Sequence, residues 1–247
     1  MTVQELLEYL DKKVTIIRQK HPYGFDHGKD PISIIVGTAP PRRFCHTFRD
    51  LFRTRDYDEG GVNLLDDDEK YYYGSNDNAF WEYLYKAFGI DKKNQKDIDK
   101  NAFIKENKLA FQDVLKEFYR RDASSIDKDL YPIYFNEIAN NCERHKSIKR
   151  IYTTSQQTTE WLLFHIVKSL NITNSTKKNK PKNITYWCDR FSITDGKPDR
   201  CIEIITLPSP SGAAGHNPDD LVNSWIEAFK PHIDELKNPK IRKSQIL

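Results

Sequence analysis

The chain has 247 residues, 38% hydrophobic and 30% charged, with a formal charge of +3. That length can bury a substantial core in a single domain spanning 1–247, and no apolar run reaches the ~18 residues of a membrane span. A charge this small does not by itself indicate a polyanion partner, and the basic residues fall in local clusters such as Arg42-Arg43 and Lys177-Lys178.

The N-terminus, Met1-Thr2-Val3-Gln4-Glu5, has no basic stretch leading into an apolar one, so a cytoplasmic or nucleoid-associated protein is expected. Cys188 and Cys201 could pair across a hairpin, but free thiols are the expectation in that compartment. The four cysteines, with Cys45 and Cys142, form no C-x-x-C pair. No metal and no cofactor are expected.

Residues 2–20 place Val3, Leu6, Leu7, Leu10, Val14 and Ile17 at helical spacing, which predicts an amphipathic N-terminal helix. Residues 21–30 hold Pro22, Gly24 and Gly28 and predict a loop. Ile32 to Val36 is an apolar run ending at Gly37, the pattern of a strand buried on both faces. Residues 54–70 are polar and predict a loop that contains the acidic knot Asp66-Asp67-Asp68-Glu69. A helix is predicted over 78–88, and a strand over 109–114 with helix as its competitor. A helix over 135–142, a strand over 148–154 and a helix over 158–170 follow.

Residues 171–183 are rich in Asn, Lys, Ser, Thr and Pro and predict a flexible loop. Residues 184–193 and 201–207 flank Thr194-Asp195-Gly196-Lys197, a hairpin signal, so 171–200 forms a basic loop-and-hairpin insertion. A last helix over 219–236 is interrupted or bent at Pro231, before a basic tail with Lys237, Lys240, Arg242 and Lys243. Strands alternating with helices predict an α/β fold: a three-layer sandwich with a short, mostly parallel central sheet flanked by helices. Ligands in such folds sit beyond the carboxyl ends of the strands.

Two stretches stand at such positions, and a third, elsewhere in the chain, joins them. Gly37-Thr38-Ala39-Pro40-Pro41 leaves the first buried strand. Leu207-Pro208-Ser209-Pro210-Ser211-Gly212-Ala213-Ala214-Gly215 leaves the last. Small residues there expose backbone N–H groups that suit phosphate. The third is Tyr72-Tyr73-Gly74-Ser75-Asn76-Asp77-Asn78-Ala79-Phe80-Trp81, where aromatic rings flank a cluster of small polar groups. Each also has a structural reading: two rigid turns, and a helix start capped by Asn76 or Asn78.

In this order the three stretches resemble the motifs of the uracil-DNA glycosylase superfamily, over roughly residues 32–216. The second is most similar to that of the mismatch-specific and hypoxanthine-type branch, Tyr-Tyr-Gly-His-Pro-Arg-Asn-x-Phe-Trp. The run Lys108 to Leu115 resembles that branch's strand ending in Trp-Asp-Val, with Asp113 where other branches place a base-reading Asn.

The resemblance implies a monofunctional DNA glycosylase. Such an enzyme flips a damaged or modified base and hydrolyses its N-glycosidic bond, at an unstacking cost of a few kcal/mol. It assigns Tyr73, Asp113, Gly37, Thr38 and Ala39 to the base. It assigns Ser209, Pro210, Ser211, Gly212 and His216 to DNA. Many relatives position the attacking water with a polar group where this chain has Ala39. Many carry His where it has Leu207, and the second motif's His is Ser75. The hypoxanthine-type branch shares this lack and relies on the Asn of Asn-x-Phe-Trp, so the resemblance implies a catalytic role for Asn78.

The expected partner is DNA, double-stranded with a flipped base or single-stranded. No membrane is involved, and the protein is expected to be a monomer. Two alternatives remain open at this point. One is a glycosylase for heavily modified cytosine in foreign, phage DNA, acting in defence, with Ser75, Ala39 and the 171–200 insertion enlarging the pocket. The other is a catalytically inactive nucleic-acid binding module. Asp113 could also be a structural carboxylate, Tyr73 a core-edge ring, and His216 a surface residue.

Overall fold

A computed structural model describes residues 16–48, 57–58, 64–121, 126–169, 171–179, 185–192, 200–211 and 217–238. The described residues form two compact units. The first is drawn from residues 1–24, 38–76 and 113–136. The second is drawn from residues 25–37, 77–112 and 137–247.

The first unit holds a five-stranded sheet with the order β5-β4-β1-β7-β8. Its strands are β1 (Ile16–Lys20), β4 (His46–Phe48), β5 (Tyr57–Asp58), β7 (Leu115–Arg121) and β8 (Leu130–Phe135). Every pairing in it is antiparallel. β1 corrects the predicted helix over 2–20 at its end, the rest of which lies outside the described residues. Ile16 to Lys20 pair with Arg121 to Glu117, and Gln19 and Lys20 with Thr47 and His46. The residues β1 buries are polar. Arg18 bonds Glu117 at 2.7 Å, and Gln19 Oε1 accepts from Arg120 Nε at 2.7 Å. At Ile17 the helical spacing loses to this cross-strand pairing, which gives the buried Arg18 and Gln19 their partners.

The second unit holds a seven-stranded sheet, β10-β11-β12-β9-β3-β6-β2. It comprises β2 (Asp26–His27), β3 (Ser33–Gly37), β6 (Leu109–Asp113), β9 (Arg150–Thr153), β10 (Asn171–Asn179), β11 (Thr185–Ser192) and β12 (Arg200–Thr206). β3, β6 and β9 are buried along their whole length. β12–β9 and β9–β3 are parallel, whereas β10–β11, β11–β12 and β2–β6 are antiparallel. The expectation of a mostly parallel sheet is thus corrected. The α/β class stands, but the sheet is mixed and a second, antiparallel sheet accompanies it. The predicted loop over 171–183 is also corrected, since Asn171–Asn179 is a strand paired with β11. Its polar composition is that of an edge strand, which β10 is in the sheet order.

Five α-helices are described: α1 (Phe80–Ala87), α2 (Lys100–Glu106), α3 (Ile138–Arg144), α4 (Gln156–Ser169) and α5 (Pro218–Lys237). The helix predicted over 135–142 begins later, because Phe135 still belongs to β8. Successive strand residues face opposite sides of a sheet. Tyr152 stacks on Phe229 of α5 at 4.1 Å, while Thr153 Oγ1 lies 2.6 Å from Thr159 Oγ1 of α4. Likewise Phe111 meets Phe80 of α1 at 5.8 Å, while Gln112 accepts from Asn141 of α3 at 2.8 Å. Helices therefore cover both faces of this sheet, with α1 and α5 on one and α3 and α4 on the other. α5 continues through Pro231 to Lys237, capped by Asn217 Oδ1 on the Asp219 amide.

Candidate functional site

α1 begins where the chain stops being polar. Asn78 Oδ1 accepts from the Phe80 amide at 2.9 Å, satisfying a donor that the first helical turn leaves without a carbonyl. The helix ends at Gly89, whose φ of +76° admits the left-handed turn that closes it. Phe80 and Trp81 are buried against Phe111, at 5.8 and 5.6 Å. Asn78 itself is half-buried. Among the described residues its Nδ2 has no hydrogen-bond partner, and Oδ1 keeps a second lone pair.

The last motif lies beside this helix start. Asn78 and Ser211 form an isolated antiparallel bridge, and the Ala79 amide donates to Pro210 O at 3.3 Å. Trp225 Nε1 of α5 donates to Pro208 O at 3.1 Å, which fixes the loop as it leaves β12. Ser209 Oγ accepts from the Ser211 amide at 3.3 Å, and Ser211 is exposed while Pro210 is buried. Asn78, Ser209, Pro210 and Ser211 thus come together. Gly212 and His216 lie outside the described residues. Gly37 ends β3 in this same unit.

The other predicted residues belong to the first unit. Thr38 is buried, and its hydroxyl is committed to Asp127 Oδ2 at 2.9 Å. Its carbonyl accepts from the Leu115 amide at 3.1 Å. Ala39 is half-buried, and the following Pro40 carbonyl accepts from Arg120 Nη2 at 2.7 Å. Arg120 is 1% exposed and spans from Gln19 to this loop. Cys45 Sγ lies 3.6 Å from the Pro40 and Pro41 carbonyls, and burial pushes its thiol up to about 12, so it stays a neutral thiol.

Tyr73 sits in a tight turn with φ +54°, where a bulky residue carries strain of order 1–3 kcal/mol. The next residue has to be glycine. A Cβ on Gly74 would stand 2.0 Å from the Glu69 carbonyl oxygen. The turn is braced by Asp68, whose carboxylate takes Arg43 and the amides of Leu65 and Asn76. Arg43 Nη2 also donates to Ser75 Oγ at 2.7 Å. The hydrogen bond from Arg43 holds Asp68 well below the usual carboxylate range, with the two amides adding to it.

Asp113 is the centre of the polar cluster. It is 4% exposed, and its Oδ2 lies 2.7 Å from His21 Nε2, itself on a residue 6% exposed. Asp113 Oδ1 is buried with no hydrogen-bond partner among the described residues. Asn136 Nδ2 donates to the Asp113 carbonyl at 2.7 Å and to that of Leu115 at 3.3 Å, pinning the backbone. Two tyrosines stand against His21. Tyr23 is edge-on at 5.8 Å and Tyr72 tilted at 5.6 Å, with Tyr72 donating to Gly24 O at 2.6 Å. Burial, with Cys45 and Asp113 adding to it, raises the Tyr23 phenol to about 12.

Tyr72 is therefore the aromatic packed on the Asp113 partner, while Tyr73 lies 6.5 Å from the Tyr72 ring. His21 is the residue that sequence reasoning missed. It sits 92 positions from Asp113, in a segment that predicts only a loop.

No protein family and no curated protein matches this sequence. Among solved structures, a proposed uracil DNA glycosylase from Methanosarcina acetivorans, determined by NMR in solution, is similar. The match covers 89% of this chain and 99% of that one, at a TM-score of 0.53 and 18% identity. The two chains share a fold. At that identity the likeness concerns architecture, and the side chains must be argued from their own geometry.

Among the described residues no helix is long and apolar enough to cross a membrane. None of them form a cluster of three or more His, Cys, Asp or Glu side chains fit to hold a metal.

Proposed function

We propose that the protein is a monofunctional DNA glycosylase that flips a damaged or modified base out of DNA and hydrolyses its N-glycosidic bond, leaving an abasic site. The observation that carries this reading is the fold shared with the proposed uracil DNA glycosylase over 89% of the chain. The three ordered sequence motifs support it.

In this reading water is the nucleophile. It attacks the sugar carbon as the bond to the base breaks, and the base leaves with the bonding electrons and is then protonated. Asn78 orients the water through Oδ1, whose position the Phe80 amide fixes beforehand. Such preorganised groups cost no reorganisation at the moment of reaction. Asp113 reads the base edge, and the tyrosine cluster of Tyr72 and Tyr73 offers stacking faces, worth about 1–3 kcal/mol per base.

Thr38 shapes the base site through its backbone, since its hydroxyl is engaged by Asp127. Gly37 and Ala39 complete that segment. Ser209, Pro210, Ser211, Gly212 and His216 contact the DNA strand. The protein acts as a monomer in the cytoplasm or on the nucleoid and needs neither metal nor cofactor.

The test is incubation with duplexes carrying single lesions, followed by cleavage of abasic sites with alkali. Strand breaks that need the alkali step support the reading. Strand breaks without it would indicate a lyase instead.

A further inference from the structure

Asp113 presents two carboxylate oxygens in unequal states. Oδ2 is 2.7 Å from His21 Nε2, and Oδ1 is buried without a partner among the described residues. A buried carboxylate oxygen with nothing to accept from is costly, and the cost is recovered only when a donor arrives. The first oxygen is spoken for by a ring that is itself held. The Tyr23 amide donates to His21 Nδ1 at 3.1 Å, and Nδ1 also lies 2.9 Å from the Tyr23 carbonyl. When Nδ1 accepts, the ring proton is on Nε2 and points at Asp113. The Tyr23 amide hydrogen aimed at Nδ1 selects this tautomer over the one with its proton on Nδ1. In that tautomer Asp113 Oδ2 is the acceptor of the His21 bond.

We propose that His21 is a positioning residue that holds Asp113 as an acceptor-only carboxylate, and that Oδ1 takes an amino N–H of the flipped base. The proposal rests on the glycosylase reading for the assignment of Asp113 to the base. Its consequence is a substrate class. A cytosine-like or adenine-like base offers an exocyclic amino N–H to a lone acceptor. Uracil offers only a ring N–H set between two carbonyl oxygens, both of which a carboxylate repels. Bases bearing an amino group are therefore preferred over uracil.

Oδ1 is covered in the structure, so an entering base must displace part of the shell around it. Of His21, Tyr23 and Tyr72, only Tyr23 is more than marginally exposed. It lies between Pro22 and Gly24, and Gly24 has open space around its Cα. The Tyr23 ring is the part of the shell able to yield.

The experiment compares wild type with His21→Gln and His21→Leu. Gln keeps an N–H donor for Oδ2, whereas Leu leaves that oxygen without one. Without that donor the carboxylate is no longer held with Oδ1 set for an amino N–H, and the preference weakens. Two readouts are taken on folded protein: single-turnover excision from duplexes with matched cytosine-type and uracil-type lesions, and NMR titration of the full chain with free cytosine, adenine and uracil. The expected result is a preference for amino-bearing bases in wild type, retained in His21→Gln, and reduced about tenfold or more in His21→Leu through loss of one buried charged contact.

Tyr23 and Asp113 resonances should move with cytosine or adenine and not with uracil. Equal losses on both base classes in His21→Leu, or a wild-type response to uracil as large as that to cytosine, would overturn the proposal. If no duplex is cleaved, the glycosylase reading fails, and the free-base titration still decides whether Asp113 binds an amino group. If His21→Leu does not fold, the contrast between wild type and His21→Gln is read against Asp113→Asn, which should remove the amino preference. An Asp113→Asn protein with unchanged preference overturns the proposal.

Discussion

The Phe80 amide donates to Asn78 Oδ1 across 2.9 Å, so one side chain both starts α1 and offers its remaining polar groups beside the Pro208–Ser211 loop. The helix-start role and the catalytic role are compatible, because an amide oxygen has two lone pairs. They separate on substitution. Asn78→Ala should cost about 1 kcal/mol of stability as a lost helix-start bond. It should also cost roughly 2–4 kcal/mol of transition-state stabilisation as a lost preorganised group. Chemical denaturation gives the first number and single-turnover excision the second. A stability loss with excision above about a tenth of wild type, a change under ~1.4 kcal/mol, would leave Asn78 a helix-start residue alone.

The Ser209 and Ser211 pair should act on the DNA backbone. Replacing both with Ala should weaken binding to every duplex by a similar factor, since phosphate contacts carry no sequence information. Fluorescence anisotropy on undamaged and lesion duplexes measures this. A loss confined to one lesion would move these serines to the base.

Asp68 makes the turn before Tyr73 sensitive to acid. Its folded pKa is depressed, chiefly by the hydrogen bond from Arg43, so its contribution is present above the unfolded carboxylate range of about 4. That contribution is lost as pH falls below that range toward the lowered folded value. Asp68→Asn should be less stable than wild type at pH 7, and the gap should narrow at pH 3. Urea denaturation at the two pH values measures it. A gap that stays constant would mean that the carboxylate charge contributes nothing.

His232 makes the second unit sensitive to milder acid. It is fully buried, with Nδ1 2.7 Å from Ser33 Oγ and Nε2 2.9 Å from Asn107 O. Burial lowers its pKa to about 4. The unfolded chain, with histidine near 6.5, therefore binds a proton that the folded chain refuses between those values. Stability attributable to His232 is full above about pH 6.5 and falls as pH drops toward about 4. His232→Gln should flatten the stability profile in that window. A variant whose profile tracks that of wild type would show that His232 titrates normally.

The parts of the fold legible in the sequence are those whose burial is apolar. β3, β6 and β9 are buried on both faces, so Ile34-Ile35-Val36, Leu109-Ala110-Phe111 and Ile151-Tyr152 stand out as short apolar runs. α1 and α5 show their helical stripes for the same reason. The antiparallel sheet of the first unit is illegible because buried Arg18, Gln19 and Arg120 interrupt its apolar interior. β7 carries Lys116, Glu117, Arg120 and Arg121, and β8 contains Pro132. Arg18 and Arg120 are 5% and 1% exposed, each held by partners about a hundred positions away. Pattern reasoning places such residues outside, and only the tertiary pairing brings them in. The site divides in the same way. Asn78 and the Pro208–Ser211 loop are visible through local motifs, whereas the His21 contact to Asp113 leaves no local mark.

The central claim is hydrolysis of a glycosidic bond by a water that Asn78 orients. The most direct measurement follows abasic-site formation and release of free base, with wild type and Asn78→Ala side by side. The substrates are lesion duplexes, single strands and DNA with bulky modified cytosines. Abasic sites are expected on at least one substrate, with a rate at least about tenfold lower in Asn78→Ala and equal DNA binding by the two proteins. DNA bound by the wild type with no abasic site on any substrate would contradict it and leave a nucleic-acid binding protein in its place.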